Sequence, residues 1–163
     1  MQKILLTGPE SSGKSTLAKS LAAEHRCPWV PEFARSFLKA LERPYTEDDL
    51  LAILLGQCDA EEAAMRAHPS APYLFCDTGP EVLYIWSMWK YGRVALAIEA
   101  AVRNRPYQRR LLCCPDLPWS ADPLRENPDQ QERLRIFRAY ETLFQQYHLD
   151  YDVVRGERAD FSL

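Results

Sequence analysis

The chain has 163 residues, 20 lysines and arginines against 23 aspartates and glutamates, and a formal charge of −3. With 47% hydrophobic and 26% charged residues it has the make-up of one ordinary globular domain, which excludes a disordered chain. No run approaches the roughly 18 apolar residues of a membrane span, and the near-neutral total speaks against a dedicated nucleic-acid binder.

Only three apolar residues separate Met1-Gln2-Lys3 from Thr7-Gly8, too few for a secretory signal, so the expected location is the cytoplasm. Five cysteines without a C-x-x-C, and three scattered histidines, lack the paired spacing of a zinc site. They read as small core residues in a reducing compartment. The vicinal Cys113-Cys114 is also explained by a strand that faces two apolar layers.

In chain order, Ile4-Leu5-Leu6-Thr7 reads as a buried strand stopped by Gly8-Pro9, and Ser15 to His25 as a helix carrying Leu17, Ala18, Leu21 and Ala22 on one face. Trp29-Val30 is a brief second strand. Phe33 to Leu41 is a short helix. Thr46 is placed to cap a long helix whose first turn holds Glu47, Asp48 and Asp49, and Pro69 and Pro72 stop it after His68. Tyr73 to Cys76 is a third strand ending at Asp77. Residues 80 to 103 form one or two helices with a break at Gly92, and Arg110 to Cys114 a fourth strand. Four prolines make residues 115 to 128 a loop. Asn127-Pro128-Asp129 reads as N-cap, first turn and acid of a last helix, whose apolar face is Phe137, Tyr140, Phe144 and Tyr147. Tyr151 to Val154 is the fifth strand. Strands alternating with helices predict an α/β parallel sheet in one domain covering residues 1 to 163.

The decisive motif is Gly8-Pro9-Glu10-Ser11-Ser12-Gly13-Lys14-Ser15-Thr16, a G-x-x-x-x-G-K-[ST] phosphate loop between a predicted strand and a predicted helix. Its glycines let backbone N–H groups close on a phosphate chain, and the helix directs its positive end at the same anion. Lys14 reaches the outer phosphates, and Ser15 offers a hydroxyl to Mg²⁺. A nucleotide together with Mg²⁺ is therefore the expected ligand.

Asp77 ends a buried strand, where P-loop proteins keep the acid that orients Mg²⁺; the alternative is a helix cap before Gly79-Pro80. Thr78 follows it, without the glutamate that motors use to activate water, which favours transfer to a bound substrate over hydrolysis. No N-K-x-D is present, so guanine-nucleotide switching is disfavoured. Glu32 and Arg35 follow the second strand at the ligand-binding edge of such a sheet. Glu32 is a candidate acceptor for a substrate hydroxyl or its general base, and Arg35 holds a phosphate or orients Glu32, against a simple ion pair at a helix start.

The stretch from Pro115 to Arg125 reads as part of a lid over residues 115 to 133, with Arg125, Arg133 and Arg135 available to neutralise a transferring phosphoryl group. Arg135 reads better as a solvated helix residue. Trp119 either stacks on a flat ring or anchors the loop. Gln57 faces either the pocket or solvent. Trp86, Trp89, Tyr84 and Tyr91 read as packing.

Together the E-S-S-G-K-S loop, Pro31-Glu32-Phe33-Ala34-Arg35, Cys76-Asp77-Thr78, and Pro118-Trp119 with Asp122 and Leu124-Arg125 resemble the ribosylnicotinamide kinase domain of NadR-type proteins, small P-loop kinases of the AAA_28 grouping. The resemblance runs from Ile4 to about Val154. It implies a nucleoside-kinase-like three-layer αβα fold with five parallel strands in the order 2-3-1-4-5, ATP as the nucleotide, and phosphorylation of the ribose 5′-hydroxyl of nicotinamide riboside. On this basis Gly8, Glu10, Ser11, Ser12, Gly13, Lys14, Ser15 and Thr16 hold ATP, and Ser15 and Asp77 hold Mg²⁺. Glu32, Arg35, Asp77, Trp119 and Asp122 face the substrate, with Trp119 near the nicotinamide ring. Lys14, Asp77, Glu32 and Arg125 carry the catalysis. Gly79 stands where the family pattern often has a second acid, which leaves the base open between Glu32 and Asp77. The nine residues after Val154 omit the long final helix common in the family. The expected partner is a small-molecule nucleoside, with no nucleic acid or membrane partner and homo-oligomerisation left open. The competing reading is a nucleotide-dependent binding or regulatory protein with little turnover.

Overall fold

The computed structural model describes residues 1–156. The chain runs β1 (Gln2–Thr7), α1 (Lys14–His25), β2 (Trp29–Val30), α2 (Phe33–Ala40), α3 (Glu47–Ala67), β3 (Tyr73–Asp77), α4 (Pro80–Tyr91), α5 (Leu96–Asn104), β4 (Arg109–Cys113), α6 (Gln130–Gln146) and β5 (Asp152–Val154). All strand pairings are parallel, in the order β2-β3-β1-β4-β5, as the resemblance implies. The tail beyond Val154 falls largely outside the described residues.

Alternation along the strands builds the layers. Ile4 and Leu6 of β1, with Phe75, Leu111 and Cys113, bury against Leu17, Ala18, Leu21 and Ala22 of α1. From the opposite side, Leu5 joins Leu74, Cys76 and Val30, against which Ala60 and Ala64 of α3 pack. Leu112 and Cys114 meet Ile136, Phe137, Tyr140 and Phe144 of α6. Cys113 and Cys114 thus face different clusters, and the described cysteines are all free. Both faces of the central strands being covered explains their near-continuous apolar sequence.

Local signals match most boundaries. Asp49 accepts the Thr46 N–H at 2.7 Å, closing the start of α3. Gly92, at φ 69°, ends α4 by donating its N–H to Met88 at 3.0 Å. One cap differs from expectation. The last helix is capped by Asp129, whose carboxylate accepts the Glu132 N–H at 2.8 Å, and not by Asn127. Asn127 is engaged elsewhere: its backbone N–H donates to Glu10 at 2.9 Å.

A buried ionic cluster lies away from the phosphate loop. Glu61 of α3 accepts from Lys3 Nζ at 3.0 Å, Arg105 Nη2 at 2.8 Å and the Tyr107 hydroxyl at 2.8 Å. It ties α3 to β1 and to the entry of β4. Nearby, Arg110 donates to Glu81 of α4 at 3.0 Å.

Candidate functional site

The β1–α1 turn has the backbone of an anion cradle. Gly8 (φ 133°), Ser11 (φ 55°) and Gly13 (φ 81°) all take left-handed values. A Cβ on Gly8 would stand 2.6 Å from the Cys113 carbonyl oxygen, so only glycine lets the loop pass β4. Helix α1 starts at Gly13 without a side-chain cap, leaving its first N–H groups for an anion. Lys14 Nζ donates to the carbonyls of Gly8 (2.9 Å) and Pro9 (2.6 Å), and the Ser12 hydroxyl donates to Pro9 (2.8 Å). The ammonium is thus held over the cradle by bonds it can exchange for phosphate oxygens.

Asp77 ends β3 opposite Leu6, immediately beside the start of the loop. It is 1% exposed, and its Oδ1 has no hydrogen-bond partner. Burial pushes its carboxyl above the ordinary value of 3.8, against the opposing pull of the Ser15 hydroxyl, Lys14 and Arg35. Thr78 follows at φ 75°, a costly conformation for a β-branched residue and one that marks functional turns. Glu32 precedes α2. Burial raises its carboxyl too, with Lys14 opposing and the Asp77 charge adding to the rise. Gln57 of α3 reaches neither the pocket nor solvent: it is buried, and its Oε1 accepts the Phe33 N–H at 2.9 Å, fixing the backbone that carries Glu32.

Three residues hold the segment between β4 and α6: Glu10 and Ser11 of the loop and Arg35 of α2. Glu10 accepts the N–H groups of Glu126 (3.1 Å) and Asn127 (2.9 Å). Ser11 donates its hydroxyl to Pro118 (3.3 Å) and accepts the Ser120 N–H (3.1 Å). Arg35 pairs with Asp122, not with Glu32 as the helix-start alternative had it. Asp122 is therefore a partner of Arg35 and accepts the Leu124 N–H (2.9 Å). Arg125 bonds the Ser120 carbonyl. Arg135 lies exposed beside Glu132, whereas Arg133 is buried at 3% exposure and leaves its Nε and Nη1 unpartnered.

Phosphate loop, Glu32, Arg35, Arg125 and α4 enclose a cavity of about 210 Å³. Trp119 does not line it; its ring lies 5.8 Å from the Arg125 guanidinium and 5.4 Å from that of Arg133. The flat ring placed near the substrate by resemblance lies here beside these two arginines. Aromatic walls come instead from Trp86 and Trp89 of α4. Their i, i+3 spacing was visible in the sequence, but it does not tell an inward apolar stripe from packing. Leu38, Ile136 and Tyr140, also at the wall, carried no signal beyond helical periodicity.

Ser15 beside a buried, unpartnered Asp77 oxygen fits Mg²⁺, which takes few protein ligands. No cluster of three or more histidines, cysteines or acids exists among the described residues, and none is needed for such a site.

A family described as "AAA domain" (AAA_28) matches residues 3–160. The chain belongs to this family. Among solved structures, it is similar to a NadR protein in complex with NR (17% identity, TM-score 0.76, covering 94% of this chain and 44% of that one). A NadR protein in complex with NAD and AMP-PNP matches at 17% identity and TM-score 0.76, covering 99% and 45%. Thymidylate kinase from Ehrlichia chaffeensis matches at 12% identity and TM-score 0.63, covering 99% and 90%. These likenesses show that the AAA_28 chain has the P-loop fold of nucleoside and nucleotide kinases. It spans less than half of the NadR chains. No curated protein matched. Among the described residues, no helix is long and apolar enough to cross a membrane.

Proposed function

We propose that this AAA_28 chain is an ATP- and Mg²⁺-dependent kinase that phosphorylates the ribose 5′-hydroxyl of nicotinamide riboside or a similar nucleoside. One observation carries the reading: the phosphate loop, the half-buried acid Glu32 and Arg125 of the expected lid face a single cavity, with Asp77 buried beside the loop. The NadR complexes with NR and with AMP-PNP support it through the shared fold.

The acceptor hydroxyl attacks the γ-phosphorus of ATP, the bond to the ADP oxygen breaks, and the hydroxyl proton passes to the Glu32 carboxylate. Glu32 suits this role because burial raises its proton affinity into a more useful range for a base. Lys14 leaves the Gly8 and Pro9 carbonyls for the phosphates, and Arg125 neutralises charge spreading over the transferred group. Ser15 and Asp77 would hold Mg²⁺, which neutralises phosphate charge when bound. Arg35, released from Asp122, contacts the acceptor. The lid excludes water, so transfer to the nucleoside outcompetes hydrolysis.

ATP consumption measured against a panel of nucleosides tests this, with Lys14→Ala and Asp77→Ala as controls. Consumption stimulated by one nucleoside and lost in both variants is expected. Nucleotide binding without stimulated turnover would replace the kinase with a binding or regulatory protein.

A further inference from the structure

The α4 residues that line the cavity are Val82, Ile85, Trp86 and Trp89, spaced i, i+3, i+4 and i+7 on one helix face, with Lys90 beside them. At 1.5 Å per residue this stripe runs about 10 Å along the helix axis, roughly the length of a nucleoside. Its composition changes along the way. Val82 and Ile85 belong to the cluster with Ile136 and Tyr140, whereas the far end is two indole rings. The rings differ in state. Trp86 packs on the core of α3 and donates Nε1–H to the Tyr45 hydroxyl at 2.7 Å, which fixes its plane. Lys90 Nζ lies 3.6 Å from the Tyr45 ring centre and 4.0 Å from Glu126 of the lid, and the Tyr45 hydroxyl lies 3.4 Å from Glu126. Trp89 is 43% exposed and makes no ring–ring or cation–ring contact among the described residues.

An ordered indole left open beside a fixed one, at the end of a cavity whose other end is a phosphate loop, is a seat for a flat ring. We propose that Trp89, three residues along α4 from the fixed Trp86, is the specificity-determining contact for the acceptor's planar aromatic base, so that the site selects ribosides over ring-less sugars. This rests on the kinase reading for the direction of the substrate, and it assigns to α4 the ring contact that the resemblance had placed on Trp119. The distance along α4 then leaves the 5′-hydroxyl between the base and the phosphate loop. Closure of Glu126 onto Tyr45 and Lys90 covers the same end.

Calorimetric titration of the full chain with purine, pyrimidine and pyridine ribosides, and with ribose and ribitol, in the presence of a non-hydrolysable ATP analogue and Mg²⁺, tests the seat. At least one riboside should bind, and ribose and ribitol should bind far more weakly. Trp89→Ala should weaken that riboside about tenfold or more, the scale of a base–aromatic stack, while affinity for the ATP analogue stays unchanged. Trp89→Tyr should restore most of the loss. Three results overturn the proposal: no riboside binds, Trp89→Ala leaves riboside affinity unchanged, or ribose binds as tightly as the best riboside. Riboside binding lost in Trp89→Ala but never followed by phosphate transfer keeps the ring seat and removes the kinase reading instead. Trp89 stands on an exposed helix surface, and thermal melting of each variant separates lost binding from lost fold.

Discussion

Two buried groups of acids lie on this sheet and are treated oppositely. Glu61 is fully served: Lys3 and Arg105 meet Oε2 and Tyr107 meets Oε1, with the glutamate side chain 1% exposed. Asp77 is as deeply buried, yet one of its oxygens has no partner, and both it and Glu32 are pushed toward the protonated form. Glu81 stands between them, with one oxygen on Arg110, the other unpaired, and its carboxyl raised by burial. A fold that can satisfy an acid through three donors has left another short of them beside the phosphate loop. Unpaired buried charge is costly, and it persists where a ligand completes it. The fully paired Glu61 carboxylate reads as architecture and the under-paired acid beside the loop as chemistry.

The largest expected effect is therefore on the architectural side. Glu61→Ala removes the shared partner of two cations and a phenol and should destabilise the protein by about 3–5 kcal/mol in denaturant titration. A loss below about 1 kcal/mol would show that the cluster is a solvated surface pair in all but geometry. On the chemical side, Lys14→Ala should lower nucleoside-stimulated turnover by about 10²–10³-fold, the scale of a deleted transition-state donor. Its melting temperature should barely change, because Lys14 bonds only the Gly8 and Pro9 carbonyls of the loop. Equal losses of stability and turnover in both variants would erase the distinction.

These differences were only partly legible in the sequence. The alternation of strands and helices and the phosphate loop were, because apolar runs, glycine positions and the G-K-S motif are local signals, whereas the strand order and the layering came only from the family resemblance. Asp77 and Glu32 were legible as acids at strand ends, though not as unpartnered ones. The Glu61 cluster was invisible: Lys3, Glu61 and the Arg105–Tyr107 pair are far apart in sequence, and nothing local links them. Trp86 and Trp89 were visible as a helical stripe, but periodicity does not say whether a stripe faces a core or a cavity. Asn127 carried a good cap signal, yet the Glu10 carboxylate of the phosphate loop claims its N–H groups. Tertiary pairing overrode local propensity there, and it did so at the lid.

That lid contact offers a mid-sized test. Glu10 accepts N–H groups from Glu126 and Asn127, charge-assisted bonds at the junction of loop and lid. Glu10→Ala should speed hydrogen exchange of these two amides about tenfold, corresponding to ~1.4 kcal/mol for a partly exposed contact. Nucleoside-independent ATP hydrolysis should rise in parallel, since water then reaches the phosphates. Unchanged exchange would mean that Arg35–Asp122 and Ser11 hold the lid without it.

The smallest effect is the sharpest for the comparison, because its sign is reversed. Asp77 has a folded-state pKa above 3.8, chiefly through burial, with Ser15, Lys14 and Arg35 only partly offsetting it. The native state therefore binds a proton before the unfolded state does, and stability falls as pH rises from 3.8 through the raised value. Above that window the ionised carboxylate is a standing cost to the ligand-free protein. Asp77→Asn removes the charge at nearly constant shape, so it should raise the melting temperature at neutral pH while abolishing Mg²⁺-dependent turnover. The gap from the parent protein should close as pH falls back toward 3.8. Melting curves from pH 4 to pH 8 without nucleotide read this directly. A variant less stable than the parent at neutral pH would make Asp77 a structural acid of the same kind as Glu61. A site strained for its ligand gives the opposite result, gaining stability in the act of losing function.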